Sequence, residues 1–182
     1  MDRIRLKDRR FEKFLTEEII LEEIDRVAQL VNADYKGKDP LFLCVLNGAF
    51  MFAAELIGRF NSDCDVAFIR IQSYDGIERG KNLKEIHDLI ESVENRHVVI
   101  IEDIIDTGHT MHYLLNKLKE QNPVTVRIAT LLFKPNALQM PVQPDYVVKS
   151  IPNDFIVGFG LDYNGHGRNL RNIYKVVTDS LC

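Results

Sequence analysis

Between Val98 and Thr110 the chain reads Val-Val-Ile-Ile-Glu-Asp-Ile-Ile-Asp-Thr-Gly-His-Thr: four apolar residues, two adjacent acids, then Asp-Thr-Gly-His-Thr. Adjacent carboxylates such as Glu102 and Asp103 suit a vicinal diol, because each can accept from one hydroxyl. On a regular strand neighbouring side chains point to opposite faces, so sharing one ligand requires the strand to end at this pair. The following residues, Asp106, Thr107, Gly108, His109 and Thr110, have the composition of a loop whose backbone N–H groups converge on an anion. Gly108 permits close approach, and the helix that follows favours negative charge at its start. Acceptors for ribose hydroxyls beside donors for a phosphate describe a ribose 5-phosphate cradle. Asp-Thr-Gly at a helix entry is by itself also an ordinary cap; the apolar run and the paired acids before it argue for more.

Other patterns carry less. Gly158-Phe159-Gly160 starts like a dinucleotide fingerprint, but Tyr163 stands where a third glycine is needed, and no GxxxxGK[ST] loop is present. His109 and His112 lie three apart at a helix start without a third metal ligand at usable spacing, so they read as capping or solvent-facing groups.

The elements that must hold this segment are legible from periodicity. Thr16 to about Tyr35 reads as an amphipathic helix capped by Thr16 and built on Ile19, Ile20, Ile24, Val27, Leu30 and Val31. Leu41–Leu46 is a short apolar run suited to a strand buried on both faces, followed by a turn at Asn47-Gly48 and a helix over Ala49 to Phe60. Asp65–Ser73 is strand-like, and Tyr74–Asn82, with two glycines and no period, reads as a mobile loop able to act as a lid. A strand over His97–Ile101 ends on Glu102-Asp103, a helix follows over Met111 to Gln121, and strands follow at Thr125–Phe133, Tyr146–Val148 and Phe155–Leu161. Alternating strands and helices imply an α/β fold with a mainly parallel, twisted sheet flanked by helices. Ligands of such sheets bind at the carboxyl ends of the strands, where strand order reverses.

Composition sets limits. The 182 residues are 46% hydrophobic and 27% charged, which fits one globular core. The net charge of -4 gives no general attraction to nucleic acid or anionic lipid. The start, Asp2 to Arg10, mixes bases with carboxylates, lacks the apolar stretch of a signal peptide and reads as a solvated arm. Apolar runs reach about six residues, far short of the roughly 20 that span a bilayer, so a cytoplasmic protein is expected. Cys44, Cys64 and Cys182 are scattered and lack CxxC spacing, which reads as reduced and structural, with Cys182 exposed at the terminus.

The segment from Val98 to Thr110 resembles the signature of type I phosphoribosyltransferases, and the similarity extends from Leu41 to Val177 to the hypoxanthine-guanine phosphoribosyltransferase family in its bacterial-type short form. Val45-Leu46-Asn47-Gly48-Ala49 resembles the family's pyrophosphate loop, which uses an unusual cis peptide at this point, and Ser73-Tyr74 resembles its flexible-loop dipeptide. Leu131-Leu132-Phe133-Lys134 resembles its purine-recognition strand, and Asp154 to Tyr163 its base-stacking and metal segment. Arg168 falls where the family keeps an arginine. Asn47 departs from the pattern, since relatives usually place lysine there, and His109 stands where many have lysine.

The resemblance implies one domain over 1-182, with a core at about 37-150 and a small hood from the N-terminal segment and about 151-182. It implies that Glu102 and Asp103 bind the ribose hydroxyls, directly or through Mg2+, and that residues 106-110 bind the 5′-phosphate. Asp106 would be the acid/base group beside the purine. Lys134 would donate to the 6-oxo group, Phe155 would stack on the base, and the backbone of Ile156 would read its far edge. Asp162, counted with the purine-binding residues, would also help hold a magnesium on the pyrophosphate, and Asn47, Gly48 and Arg168 would contact that pyrophosphate. Taken alone, Lys134 reads as a solvated strand-end residue and Phe155 as core. The implied reaction is transfer of 5-phosphoribosyl from phosphoribosyl pyrophosphate to hypoxanthine, and to guanine, in a homodimer or homotetramer. The alternatives are a xanthine- or guanine-preferring transferase, or a non-catalytic sensor of phosphoribosyl pyrophosphate.

Overall fold

A computed structural model describes residues 2–75, 82–87 and 92–177, with only the backbone described for 72–75 and 82–87. The start of the chain is not a solvated arm. β1 (Arg3–Leu6) and β2 (Arg9–Leu15) form an antiparallel hairpin in which Ile4 faces Phe11 across the pair. Its arginines are exposed in alternation with Ile4 and Leu6, and Phe11 is fully buried. Burying one phenylalanine contributes about 1.5–3 kcal/mol, so a charge-rich segment with alternating apolar residues is drawn into a sheet. β10 (Ile173–Val176) and β9 (Ile156–Val157) complete that sheet in the order β1-β2-β10-β9.

α1 (Glu17–Tyr35) is capped by Thr16, whose side chain accepts from the Ile19 N–H, and two glutamates occupy its first turn. Ile20, Ile24, Val27, Val31 and Tyr35 face the core, whereas Ile19 and Leu30 of the expected stripe are exposed. β3 (Leu41–Leu46) leads into α2 (Phe50–Ile57), shorter than its apolar text suggests. β4 (Asp65–Asp75) pairs antiparallel with β5 (Asn82–His87), a strand that periodicity missed. The ends of the expected lid, Tyr74, Asp75 and Asn82, therefore belong to strands, and 76–81 lie outside the described residues. β6 (His97–Ile105), α3 (His109–Lys119), β7 (Thr125–Phe133) and β8 (Tyr146–Ser150) follow.

The larger sheet runs β5-β4-β3-β6-β7-β8, with β4, β3, β6, β7 and β8 parallel and β5 antiparallel at the edge. Phe42, Cys44, Val99 and Ile101 pack against α1 and α2 on one face, while Leu41, Leu43, Val98 and Ile100 pack against α3 on the other. Strand order reverses between β3 and β6, which places the loops after these two strands side by side. Cys44 is fully buried, which pushes its thiol up to about 12, and Cys64 is partly buried. Cys182 lies outside the described residues. The expected strand over Phe155–Leu161 is cut to two residues, because Gly158, Phe159 and Gly160 all take positive φ (103°, 49° and 101°) and curl the chain out of the sheet.

Candidate active site

β6 does not stop at Glu102-Asp103. It keeps pairing with β7 through Ile104 opposite Leu132 and Ile105 opposite Phe133, so the two acids emerge on different faces rather than at a frayed end. The alternation slips just after them: Ile104 packs with the α1/α2 core and Ile105 with the α3 core. At the slip, Asp103 Oδ1 accepts from the Ile104 N–H at 2.8 Å. Glu102, 8% exposed, lines a concavity of about 90 Å³ with Asp106, Thr107, Gly108, His109 and Thr110, enough for a phosphate-sized group. Asp103 turns the other way, toward the loop after β3. A Cβ on Gly48 would stand 1.5 Å from its Oδ2. Burial pushes the Asp103 carboxyl up to about 6, an effect partly offset by the Ile104 N–H and the Arg168 charge.

The segment after β6 has the expected shape. Gly108 takes φ 83°, which only glycine adopts without strain, and α3 starts at the next residue. The loop's outward carbonyls are occupied: Thr107 O accepts from Gln139 N and Met140 N, and Gly108 O from His112 N. Its inner side and the positive end of α3 meet at the concavity. His109 lies 3.2 Å from Gln139 Oε1 and His112 3.2 Å from Asn116 Nδ2, so the two histidines turn to different partners.

Lys134 is not a solvated strand end. It is 6% exposed, and its Nζ lies 2.7 Å from Asp106 Oδ2. A buried ammonium needs an anionic partner, and parallel pairing of β6 with β7 delivers one, since Lys134 N donates to Ile105 O at 2.9 Å. The separation of 28 positions leaves no trace in spacing, so the sequence named both groups without linking them.

A second cluster surrounds Gly48. The Leu46–Asn47 peptide is cis, as the resemblance implied. Asn47 is exposed, and its Oδ1 accepts from Arg70 Nη2 at 3.0 Å; Arg70 stands beside Leu46 in the β3–β4 register, a partner no motif signalled. Gly160 packs so closely that a Cβ there would lie 2.0 Å from Gly48 O. Arg168 grips this turn, donating to Gly160 O at 2.7 Å and pairing with Asp162 Oδ1 at 2.5 Å, while Asp162 Oδ2 accepts from Gly165 N at 2.6 Å. Asp103, Gly48, Gly160, Arg168 and Asp162 thus form one cluster. Phe155 is 41% exposed rather than core, with Phe11 and Tyr163 against it, and Ile156 is buried in β9. Ser73 and Tyr74 continue β4.

Residues 11–164 match the family model described as a phosphoribosyl transferase domain. The hypoxanthine-guanine phosphoribosyltransferase of Streptococcus thermophilus is 41% identical over 157 residues, covering 85% of this chain and 87% of that protein. The enzyme of the same name from Lactococcus lactis is 41% identical over 165 residues, 90% of each. Among solved structures, a hypoxanthine phosphoribosyltransferase from Staphylococcus aureus superposes with a TM-score of 0.86 at 36% identity, covering 91% of both chains. The Trypanosoma cruzi hypoxanthine phosphoribosyl transferase, solved to examine how its C-terminal region affects oligomeric state and activity, gives 0.86 at 34% identity over 96% and 95%.

Proposed function

The chain belongs to the phosphoribosyl transferase family, and from that membership we propose the chemistry of its site: transfer of 5-phosphoribosyl from phosphoribosyl pyrophosphate to N9 of hypoxanthine, and of guanine, giving IMP or GMP and pyrophosphate. It is a phosphoribosyltransferase of purine salvage. The observation that carries the base assignment is the Lys134–Asp106 pair, 2.7 Å apart beside the phosphate-sized concavity. It supports a buried N–H donor for a 6-oxo group and a carboxylate for the purine's proton within one base's reach.

Residue roles follow in the same reading. Asp106 to Thr110 hold the 5′-phosphate at the start of α3, and Glu102 and Asp103 hold the ribose hydroxyls from two sides. Departure of pyrophosphate leaves positive character on the ribose, which Asp106 and Glu102 favour electrostatically while Asp106 accepts the purine proton. Phe155 stacks on the base and the backbone of Ile156 reads its far edge. Gly48, beside Asn47, approaches the pyrophosphate closely, and Arg168 exchanges its hold on Asp162 for pyrophosphate oxygens. Magnesium takes oxygen ligands. Asp103 and Asp162, in the cluster around Gly48, and Glu102 from the phosphate side would each offer carboxylate oxygens to it; no three such groups stand together among the described residues, so substrate oxygens would complete the shell, and a bound ion would supply charge neutralisation to the leaving pyrophosphate. The small sheet serves as the hood over these strand ends, within one domain. The proposal includes a homodimer or homotetramer and a cytoplasmic setting. Among the described residues no helix is long and apolar enough to cross a membrane.

The test is a panel of hypoxanthine, guanine, xanthine, adenine and uracil with phosphoribosyl pyrophosphate and magnesium, following pyrophosphate release. Release with hypoxanthine and guanine is expected. Release with xanthine alone would move the assignment to a xanthine enzyme, and silence with every base would favour a sensor.

A further inference from the structure

The hairpin at the start of the chain does more than extend the small sheet. Phe155, 41% exposed, is held from behind by it. Phe11 of β2 lies with its ring centroid 6.4 Å from that of Phe155 and 6.1 Å from that of Tyr163, and Phe155 meets Tyr163 edge-on at 5.8 Å. The Arg9 guanidinium sits over both rings, 5.0 Å from the Tyr163 centroid and 5.8 Å from that of Phe155. Tyr163 is tied to the hairpin turn as well, its hydroxyl donating to Asp8 Oδ1 at 2.9 Å.

We propose that Arg9 is a positioning residue for the purine, acting through Tyr163 and Phe155 so that the hairpin fixes the ring on which the base stacks. This rests on the stacking role given to Phe155 above. A phenylalanine this exposed can rotate about two side-chain bonds, and a base that must first select one rotamer loses affinity to that selection. Attraction between a cation and an aromatic face holds only while the ring presents that face. Arg9 and the edge of Tyr163 therefore select one orientation before the base arrives. Phosphoribosyl pyrophosphate, which the proposed function places at the ends of β3 and β6, would not touch these rings. The effect belongs to the base alone.

Initial-rate kinetics on Arg9→Gln and Arg9→Lys test this. Loss of the cation should raise the KM for hypoxanthine about three- to tenfold with the KM for phosphoribosyl pyrophosphate and the melting temperature unchanged, and Arg9→Lys should recover most of the loss. Should Arg9→Gln lower the melting temperature, Tyr163→Phe, which keeps both rings and removes only the tie to Asp8, should still raise the hypoxanthine KM selectively. An unchanged hypoxanthine KM, a lowered one (Arg9 competing with the base for the ring), or an equal rise for both substrates would each overturn the proposal. Failure of the wild-type chain to turn over any base is a different result, and would remove the functional reading instead.

Discussion

Asp103 shows how a single residue can be held against its own preference. Its carboxyl is raised from 3.8 to about 6 by burial, so ionising it costs the folded state stability. The penalty is absent below the unfolded value, grows as pH rises from about 4 to 6, and is full above that, at about 3 kcal/mol for two units. Asp103→Asn should therefore raise the melting temperature at pH 8, with the advantage shrinking to nothing near pH 4; equal stabilisation at both values would remove desolvation as the cause. The same variant should bind phosphoribosyl pyrophosphate and magnesium less well, the usual opposition between a stable site and a working one. Asp106 is different in kind, because Lys134 already stands against it. Asp106→Asn keeps the site's shape and one acceptor for Lys134 while removing the base. Forward turnover should fall roughly 10²- to 10⁴-fold with hypoxanthine KM nearly kept, and near-normal turnover would take Asp106 out of the acid/base role.

Among elements, the contact that matters most is between two turns. The turn after β3 and the turn after β9 meet at Gly48 and Gly160, where an added methyl on Gly160 would lie 2.0 Å from backbone oxygen at φ 101°. Gly165 has a comparable φ of 80° but open space around its Cα. Gly160→Ala should therefore cost about 2–4 kcal/mol in urea unfolding, and Gly165→Ala only the roughly 1–2 kcal/mol of left-handed strain. Equal losses would mean that the contact between the turns contributes nothing. The same closeness ties the turn after β9 to the turn after β3, and Arg168 holds the Gly160 carbonyl and Asp162 together there. At this scale periodicity served for α1, which buries one face, and unbroken apolar runs served for β3 and β7, which are buried on both. The same patterns misled on β9, whose apolar run is bent out of the sheet by positive φ, and on β6, which carries two acids at Glu102-Asp103 yet stays in the ladder through Ile105 because β7 is there to pair with it.

At the scale of the molecule, a chain with net charge -4 is to bind a strongly anionic substrate, so attraction has to be local: α3's first turn, Arg168 and a cation brought with the substrate. Chelation should then abolish pyrophosphate release, and magnesium should restore it, while the melting temperature of the ligand-free chain stays unmoved. A chelator-sensitive melting temperature would instead indicate a structural metal. The sequence by itself determined the α/β class and offered Glu102 to Thr110 as a candidate cradle, because local propensity and short-range spacing write these into contiguous text; Lys134, Phe155, Asp162 and Arg168 came as candidates from the family resemblance. Only the tertiary structure decided that Lys134 is buried against Asp106, that Asp103 faces Gly48 and Glu102 the phosphate concavity, that Asn47 is held by Arg70, and that the charged N-terminal residues form a hairpin against Phe155. Apart from Glu102 and its concavity, which is built from the residues just after it, these depend on strand order and register, which bring together residues separated by about 20 to 150 positions. Pairing over such distances is set by the whole core and leaves no period in the chain for a reader to find.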